Sequence, residues 1–339
     1  MTSEGAMKAM RLEQPGPLGA ASLKPKEVPV PRPGPGQVLI RVSACGICHT
    51  DLHVIEGDLP PHRLPVTPGH QIVGVVVEVG EGVEGFEAGT RVGVPWLHRT
   101  CGDCHFCRQG KENLCESALF TGYDVDGGYA QYTLAYGEFA YPIPEGFPDV
   151  QSAPLLCAGV IGYRALRLAE VPQGGRLGLY GFGASAHIVV QIAVHLGHRV
   201  YVFSRSEEHR RLAMKLGAVW VGSAQEGAPE RLHSSIIFAP AGNLVPLALE
   251  GLEKGGTLAL AGIYMSPVPE LEYSRHLYHE KVLRSVANST RKDAQELLQL
   301  AAEIPLRTQV QVYPLEQANE ALSLLKEGKI QGAGVLEIP

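Results

Sequence analysis

The chain has 339 residues and a formal net charge of -6, with 45% hydrophobic and 19% charged residues. This length favours two domains, and 40 Gly and 25 Pro are typical of a turn-rich globular protein rather than a disordered or coiled one. No run of Lys or Arg offers a surface for nucleic acid or an anionic bilayer. No apolar run approaches the roughly 18 residues of a membrane span. Nucleic-acid and membrane partners are therefore not expected.

The N-terminal segment MTSEGAMKAMRLEQPG lacks the apolar stretch of a signal peptide, so a cytoplasmic location is expected. In that reducing compartment, the seven cysteines of the chain indicate metal binding or catalysis rather than disulfides.

The first cysteines, Cys45 and Cys48, lie in ACGICHTDLH, and PGHQIVG follows at residues 68–74. Thiolates from Cys48 and Cys157 and the imidazole of His70 would form a three-ligand zinc site with an open fourth position, as in catalytic zinc sites. Spacing alone supports this ligand set weakly, because an isolated His is more often an ordinary polar residue.

The segment CGDCHFCRQGKENLC contains four cysteines separated by two, two and seven residues: Cys101, Cys104, Cys107 and Cys115. One loop can bring these four thiolates around a single ion, and a site filled entirely by protein is typical of structural zinc. The alternatives are a [4Fe–4S] cluster or buried free thiols. Glycines and charged residues between the cysteines indicate an exposed loop, which favours zinc.

Residues 176–206 predict a strand ending at Tyr180, a glycine turn, a helix over 188–196 and a second strand. The predicted cofactor-binding turn consists of Gly181, Phe182, Gly183, Ala184, Ser185 and Ala186. Gly181 allows a tight turn, Gly183 lets a pyrophosphate approach the backbone, and Ala186 permits close helix packing. The helix N-terminus would face the anion, so this segment predicts a dinucleotide site.

Ser204, Arg205 and Ser206 follow the second strand, where NAD enzymes place an acidic residue for the ribose 2′-hydroxyl. An acidic residue would repel a 2′-phosphate, whereas Arg205 and two hydroxyls could bind it. The sequence therefore favours NADP(H) over NAD(H). In the alternative interpretation Arg205 is a solvated residue at a helix start and Glu207 binds the ribose.

The C-terminal part predicts two amphipathic helices, over 292–303 and 315–327. A strand near TQVQVY lies between them, and GAGVLEI predicts a final strand.

Together these motifs, with DGGYAQY at 126–132 and GKIQGAGVL at 328–336, closely resemble the zinc-dependent alcohol dehydrogenases of the medium-chain dehydrogenase/reductase superfamily. The resemblance runs from near Met7 to the C-terminus. It implies an α/β protein with a GroES-like, mostly β catalytic domain and a Rossmann domain built on a doubly wound parallel sheet. The expected domains are 1–152, holding both zinc sites, 153–287 for the dinucleotide, and 288–339 returning to the catalytic domain.

The resemblance selects Cys48 as the first catalytic zinc ligand, because the family ligand directly precedes the His-Thr-Asp run, and leaves Cys45 unused. His70 and Cys157 become the other ligands. Asp51 is the carboxylate that orients His70, a common partner for a metal-bound imidazole.

Further roles implied by the resemblance concern the substrate and the cofactor. Thr50 would contact the substrate oxygen, and His53 would pass a proton through the ribose to solvent. His49 lies where the family contacts the pyrophosphate, and Trp96 where a pocket-lining aromatic is common. Thr50 and His53 could otherwise be ordinary loop residues, and Trp96 an ordinary core aromatic.

Two positions depart from the family pattern. Gln71 follows the ligand His where Glu is usual, which removes a negative charge near the zinc. Ala333 stands where many relatives carry an Arg directed to the pyrophosphate, so cofactor affinity must depend more on the helix N-terminus, His49 and Arg205.

The resemblance implies reversible oxidation of an alcohol to an aldehyde or ketone, with a small-molecule alcohol or aldehyde as substrate, two Zn²⁺ per chain, and a homodimer or homotetramer. An NADPH-dependent aldehyde reductase of the cinnamyl type is the alternative enzyme, and a non-catalytic nucleotide-binding protein is the alternative outside enzymes. Zinc-free quinone reductases share the fold but need neither cysteine set.

Overall fold

The computed structural model describes residues 5–304 and 306–339, which form two units. The first comprises the described residues up to Cys157, with Asn288–Ala302 and Thr308–Pro339, and the second comprises Ala158–Ala287 with residues 303–304 and 306–307. This division places Cys157 in the first unit, whereas the expected boundary after residue 152 separates it from Cys48. In this division Cys48 and Cys157 share one unit, and their Sγ atoms are 3.9 Å apart.

The strands of the described chain are numbered in sequence order. They are β1 (Ala6–Leu12), β2 (Leu23–Pro29), β3 (Gln37–Ile47), β4 (Gln71–Val79), β5 (Arg91–Val94), β6 (Leu97–Arg99), β7 (Leu119–Phe120), β8 (Tyr132–Tyr136), β9 (Tyr141–Pro142), β10 (Arg176–Tyr180), β11 (Arg199–Phe203), β12 (Trp220–Gly222), β13 (Leu232–Ile237), β14 (Leu252–Leu260), β15 (Val282–Ser285), β16 (Val310–Pro314) and β17 (Ala333–Glu337).

The helices are numbered in the same way. They are α1 (His49–Glu56), α2 (His105–Arg108), α3 (Asp149–Ser152), α4 (Ala158–Leu168), α5 (Ala184–His195), α6 (Glu207–Lys215), α7 (Leu244–Gly251), α8 (Tyr273–His276), α9 (Arg291–Glu303) and α10 (Ala318–Lys326).

The first unit is built on a mixed sheet with the strand path β16-β17-β3-β4-β5-β9, and β8 also pairs with β3. Val and Ile dominate β3 and β4, residue types that favour a pleated, buried surface. Val38, Ile40, Ile72 and Val76 are fully excluded from solvent, and they belong to one apolar cluster that includes residues of α1 and α10.

The register of β3 and β4 determines where the chemistry of this unit lies. Their antiparallel pairing sets Gly46 opposite Gln71. The C-terminal end of β3 therefore lies beside the start of β4, and Cys48 and His70 lie directly outside those two strand ends. Residues distant in sequence are brought together because the sheet register is fixed by burial on its faces.

The second unit contains a six-stranded sheet in the order β12-β11-β10-β13-β14-β15, with every neighbouring pair parallel. Numbered from β10, this is the 3-2-1-4-5-6 order of a doubly wound dinucleotide-binding fold. The two units confirm the expected combination of a mostly β domain and a Rossmann domain.

Helix α5 begins earlier than the sequence predicts. Residues 184–186 were expected in the turn but form the first turn of α5, whose N-cap is Gly183. The reason is that a helix needs no apolar residue in its first turn, whereas the predicted start at residue 188 followed the apolar spacing alone.

The C-terminal elements agree with the predicted pattern apart from their ends. Helix α9 and strands β16 and β17 occupy the expected segments. The second predicted helix starts as a 3₁₀ segment, Leu315–Gln317, before α10. In the described part of the chain, no helix combines the length and apolar character needed to cross a bilayer.

Candidate functional site: two cysteine clusters and a glycine turn

One cluster combines Cys48, His70 and Cys157, whose potential ligand atoms all lie within 4.8 Å of one another. Cys48 is the N-cap of α1, where its Sγ accepts a hydrogen bond from the Thr50 amide at 3.3 Å. His70 is fully buried. The cluster therefore joins a helix N-terminus, the start of β4 and the residue that precedes α4.

The orientation of His70 is set by Asp51. Nδ1 of His70 lies 3.1 Å from Oδ1 of Asp51, and the Asp51 side chain is 2% exposed. A carboxylate at Nδ1 fixes the tautomer in which Nε2 carries a lone pair available to a metal.

A ring nitrogen of this three-residue cluster, unpaired in the described part of the chain, indicates that the cluster fits a metal ion. Nε2 of His70 is buried and has no hydrogen-bond partner among the described residues, which is costly for a polar atom unless another ligand satisfies it. Burial would lower the pKa of His70, but the Asp51 carboxylate and the Cys48 thiol outweigh burial and raise it to about 10, so a metal that binds Nε2 must displace a proton from it. A hydrogen bond from Cys157 holds the pKa of Cys48 well below its usual range. These two sulfurs and one nitrogen match the ligand types of zinc.

Thr50 and His53 occupy different environments on α1. The Thr50 hydroxyl is 3.4 Å from the Sγ of Cys48, and this residue is 6% exposed. His53 lies in the last turn of α1, with its Nδ1 2.9 Å from a carboxylate oxygen of Asp58. His49, the first residue of α1, is exposed.

Trp96 contacts the three-residue cluster. Its ring is edge-on to the imidazole of His70, with centroids 4.9 Å apart, and it stacks on Phe120 at 5.1 Å. Tyr123 is 5.8 Å from the same indole. The sequence analysis did not connect Phe120 and Tyr123 to His70. The pairing of β6 with β7, which sets Leu97 opposite Phe120, brings their segment beside Trp96.

The second cluster contains the four cysteines of residues 101–115. Sγ distances are 3.9 Å for Cys101 to Cys107, 3.5 Å for Cys104 to Cys107 and 3.5 Å for Cys115 to Cys101. A tetrahedron with Zn–S bonds of about 2.3 Å has S–S edges of about 3.8 Å. The cysteines are free rather than disulfide-bonded, so this geometry fits a closed four-thiolate metal site.

The glycine turn lies in the second unit, between β10 and α5. Gly181 has φ +89°, and a side chain there would approach the Ala239 amide nitrogen to 2.9 Å, so the turn requires glycine. A Cβ at Gly183 would meet no atom within 4 Å, so packing does not explain this glycine. Open space at the N-terminus of a 12-residue helix fits a pyrophosphate.

The segment after β11 is partly engaged in helix capping. Ser206 is the N-cap of α6, and its Oγ accepts a hydrogen bond from the His209 amide at 3.3 Å, whereas Ser204 is buried and Arg205 is exposed. Arg210 lies nearby, and its Nε donates to the Ser204 carbonyl at 2.7 Å.

The structure also identifies residues without a role in the sequence analysis. Arg210 could have been found from its position four residues after Ser206, one helical turn away. Tyr129 of DGGYAQY donates a hydrogen bond to Asp51 at 3.0 Å. No local signal identifies this contact, because the two residues are 78 positions apart.

The two departures from the family pattern are both buried. Gln71 is 2% exposed and packs against Gly46, where a Cβ would lie 2.8 Å from its Cδ. Ala333 is 5% exposed and begins β17.

Two segments of the chain match models of known protein families. Residues 34–145 match the family model described as alcohol dehydrogenase GroES-like domain, and residues 186–303 match the one described as zinc-binding dehydrogenase.

Similar proteins match over nearly the whole chain. A probable alcohol dehydrogenase AdhA of Mycobacterium tuberculosis is 48% identical over 98% of this chain and 97% of its own length. Among solved structures, CAD from Helicobacter pylori complexed with NADP(H) has a TM-score of 0.87 at 26% identity, covering 98% of each chain. The cobalt- and zinc-bound thermostable alcohol dehydrogenase from Pyrobaculum aerophilum has a TM-score of 0.89 at 26% identity, covering 98% of this chain and 100% of its own. The chain therefore belongs to the zinc-type alcohol dehydrogenases of the medium-chain dehydrogenase/reductase superfamily.

Proposed function

We propose that this protein is a zinc-dependent, NAD(P)-linked alcohol dehydrogenase that reversibly oxidises an alcohol to an aldehyde or ketone. The observation that carries the proposal is the buried Nε2 of His70, which has no hydrogen-bond partner in the part of the chain that the structure describes and belongs to a cluster with the thiols of Cys48 and Cys157. The family membership and the names of the similar dehydrogenases support it.

The proposed metal content is two Zn²⁺ per chain, in sites with different roles. Cys101, Cys104, Cys107 and Cys115 would form a closed structural site, whereas Cys48, His70 and Cys157 leave a tetrahedral position for substrate. When bound, the second zinc supplies a Lewis acid for the substrate oxygen, and the nicotinamide supplies the hydride acceptor or donor.

The protein groups around this cluster hold and move protons. Asp51 keeps the proton on Nδ1 of His70, so that Nε2 remains a ligand. The Thr50 hydroxyl, beside the Cys48 sulfur, is placed to accept the proton of the substrate hydroxyl while it passes its own proton on toward the ribose. His53, hydrogen-bonded to the exposed Asp58, is proposed as the last protein group in the proton path to solvent.

Trp96 is proposed to line the substrate pocket. Its ring contacts His70, and stacking on Phe120 restricts its orientation. An indole held rigidly beside the metal cluster presents an apolar face to the carbon chain of a small alcohol.

For the cofactor, we propose a dinucleotide at residues 181–186 and a preference for NADP(H). The preference is supported by Ser204, Arg205 and Ser206, where an acidic residue would select NAD(H). Arg210 adds a second cation next to this segment. Glu207, the alternative ribose ligand, carries a side chain that is 73% exposed and lies 3.7 Å from Arg210. His49 is proposed to contact the pyrophosphate.

The domain roles follow from these assignments. Residues 1–152 and 288–339 would act in catalysis, and 153–287 would bind the dinucleotide, with Cys157 joining the catalytic set.

A homodimer or homotetramer is also proposed. Support comes from β15, an edge strand of the six-stranded sheet on which Val282 is 37% and Leu283 36% exposed. Apolar edge strands favour pairing with a second chain. Light scattering of the protein and of Leu283→Lys tests this, with a monomeric parent contradicting it.

The test of the proposed function is a rate panel with metal analysis. Initial rates on primary, secondary and aromatic alcohols, and on the matching aldehydes, are measured with NAD(H) and NADP(H) in parallel. We expect about two zinc per chain and turnover that a chelator abolishes. Turnover confined to aldehydes with NADPH would favour the cinnamyl-type reductase instead. A zinc-loaded protein that binds NADPH without turning over any substrate would indicate the non-catalytic alternative.

A further inference from the structure

Tyr129 is a buried phenol that the proposed mechanism does not use. It lies in DGGYAQY and is fully excluded from solvent. Its amide donates to the Pro68 carbonyl at 3.0 Å, and its carbonyl accepts the Met10 amide at 2.8 Å. The backbone is therefore fixed on both sides, and the ring has a defined position.

The phenol hydroxyl donates to Asp51, whose two carboxylate oxygens have separate partners. Oδ2 accepts the Tyr129 hydroxyl at 3.0 Å and the Cys48 amide at 2.8 Å, whereas Oδ1 faces Nδ1 of His70 at 3.1 Å. Two donors on one oxygen fix the rotation of the carboxylate group. The other oxygen is thereby aimed at the imidazole.

Glycines beside His70 and beside Tyr129 allow the Tyr129 ring to come this close to the loop before His70. Gly69 has φ +98°, and a side chain there would overlap the Tyr129 ring and lie 2.9 Å from the Sγ of Cys45. Gly128, adjacent to Tyr129, could not carry a Cβ without approaching the same sulfur to 2.9 Å. The backbone of the loop before His70 therefore packs directly against the ring of Tyr129.

We propose that Tyr129 is a positioning residue for the catalytic metal site, acting through Asp51 on His70. The inference rests on the proposed function, since it requires a metal at Cys48, His70 and Cys157. A Phe at position 129 would fill the same space but would leave Oδ2 of Asp51 with the Cys48 amide as its one remaining donor among the described residues. The carboxylate could then rotate, and the imidazole would lose its fixed direction toward the metal.

The test compares Tyr129→Phe with the parent and with Tyr141→Phe. Tyr141, on β9 of the mixed sheet of the first unit, is 5% exposed, so its variant also removes a buried phenol oxygen but leaves the Tyr129–Asp51 hydrogen bond in place. Metal release is followed with a chromophoric chelator, with the four-cysteine site as an internal reference. Visible spectra of the cobalt-substituted proteins report ligand geometry.

For Tyr129→Phe we expect zinc affinity at the three-ligand site to fall roughly 10-fold, at the low end of the range for residues that support metal ligands. The cobalt bands of this site should shift, whereas the four-cysteine site and Tyr141→Phe should match the parent. Unchanged zinc affinity and cobalt bands in Tyr129→Phe would overturn the inference. So would a loss of thermal stability in the metal-free protein without a change in metal affinity, because that outcome indicates a packing role alone.

Failure of the proposed function gives a different result. A parent protein that binds a single zinc, resistant to Cys48→Ser and lost in Cys104→Ser, would lack the three-ligand metal site altogether. In another outcome the parent binds two zinc ions and Tyr129→Phe has the same zinc affinity and cobalt bands as the parent. That result would exclude the role of Tyr129 and leave the dehydrogenase proposal intact.

Discussion

The imidazole of His70 and the carboxylate of Asp51 form a hydrogen-bond pair at 3.1 Å that is almost completely shielded from solvent. Asp51→Asn keeps the shape but replaces a pure acceptor with an amide, so His70 loses its charged partner. We expect zinc affinity at the three-ligand site to fall roughly 10–100-fold, measured by chelator competition. Equal affinity in the two proteins would show that Asp51 does not control His70.

Cys48 and Cys45 provide a matched pair of cysteines in one segment. Cys48 belongs to the cluster with His70 and Cys157, whereas Cys45 is fully buried and lies outside it. We expect Cys48→Ser to abolish turnover and to hold about one zinc per chain instead of two, with the fold preserved. Cys45→Ala should keep both zinc ions and turnover. Elemental analysis and circular dichroism check this, and normal turnover in Cys48→Ser would remove it from the ligand set.

A comparison of Gly69 with Gly82 distinguishes the destabilisation caused by steric overlap from that caused by backbone strain. Both have positive φ, +98° and +75°, but a Cβ at Gly69 would overlap the Tyr129 ring whereas one at Gly82 would meet nothing within 4 Å. We expect Gly82→Ala to lower the free energy of unfolding by about 1 kcal/mol and Gly69→Ala by about 2–4 kcal/mol. Urea unfolding measures both. Equal losses of unfolding free energy in the two variants would mean that the loop before His70 can shift to accommodate the added methyl group without further destabilisation.

Arg205 is expected to determine the choice of cofactor. Removal of one charge-assisted hydrogen bond, worth about 1.5–3 kcal/mol, corresponds to roughly 10–100-fold in binding. Arg205→Ala should therefore lower kcat/KM for NADP(H) by that factor and leave NAD(H) nearly unchanged. Arg211, exposed on helix α6 just beyond this segment, is the control position. A parent enzyme that prefers NAD(H) would contradict the role given to Arg205.

His187 predicts a pH dependence of stability in the second unit. Burial lowers its pKa to about 4 from an ordinary value of 6.5, although the carbonyls of Gly183 and Ala184 oppose the shift. The unfolded chain therefore takes up a proton before the folded one does. Stability contributed by neutral His187 is complete above about pH 6.5 and is lost as the pH falls toward 4, by up to about 3 kcal/mol.

The check compares urea unfolding of His187→Gln, His195→Gln and the parent between pH 4 and pH 7. His195 is exposed at the end of the same helix α5. His187→Gln should have a weaker acid dependence than the parent, and His195→Gln should retain it. Parallel pH curves for all three proteins would exclude His187 as the cause.

The sequence by itself determined those parts of this protein that are formed by residues close together in the chain. The cysteines of residues 101–115 lie close enough for one loop to bring their thiols together, as the sulfur distances confirm. The strand, glycine turn and helix of residues 176–195 are likewise local. Both the Rossmann order and the family were predictable, because the motifs carry hydrophobic and glycine patterns that few folds use.

Only the tertiary structure decided which distant residues meet. Cys45 and Cys48 are three positions apart, yet the first is buried in β3 and the second caps α1, a difference that the strand end at Ile47 creates. The register of β3 and β4 brings His70 to that cap, and the segment with Tyr129 closes on Asp51 from 78 positions away. Such contacts follow from the burial of whole sheet faces, which no local pattern encodes.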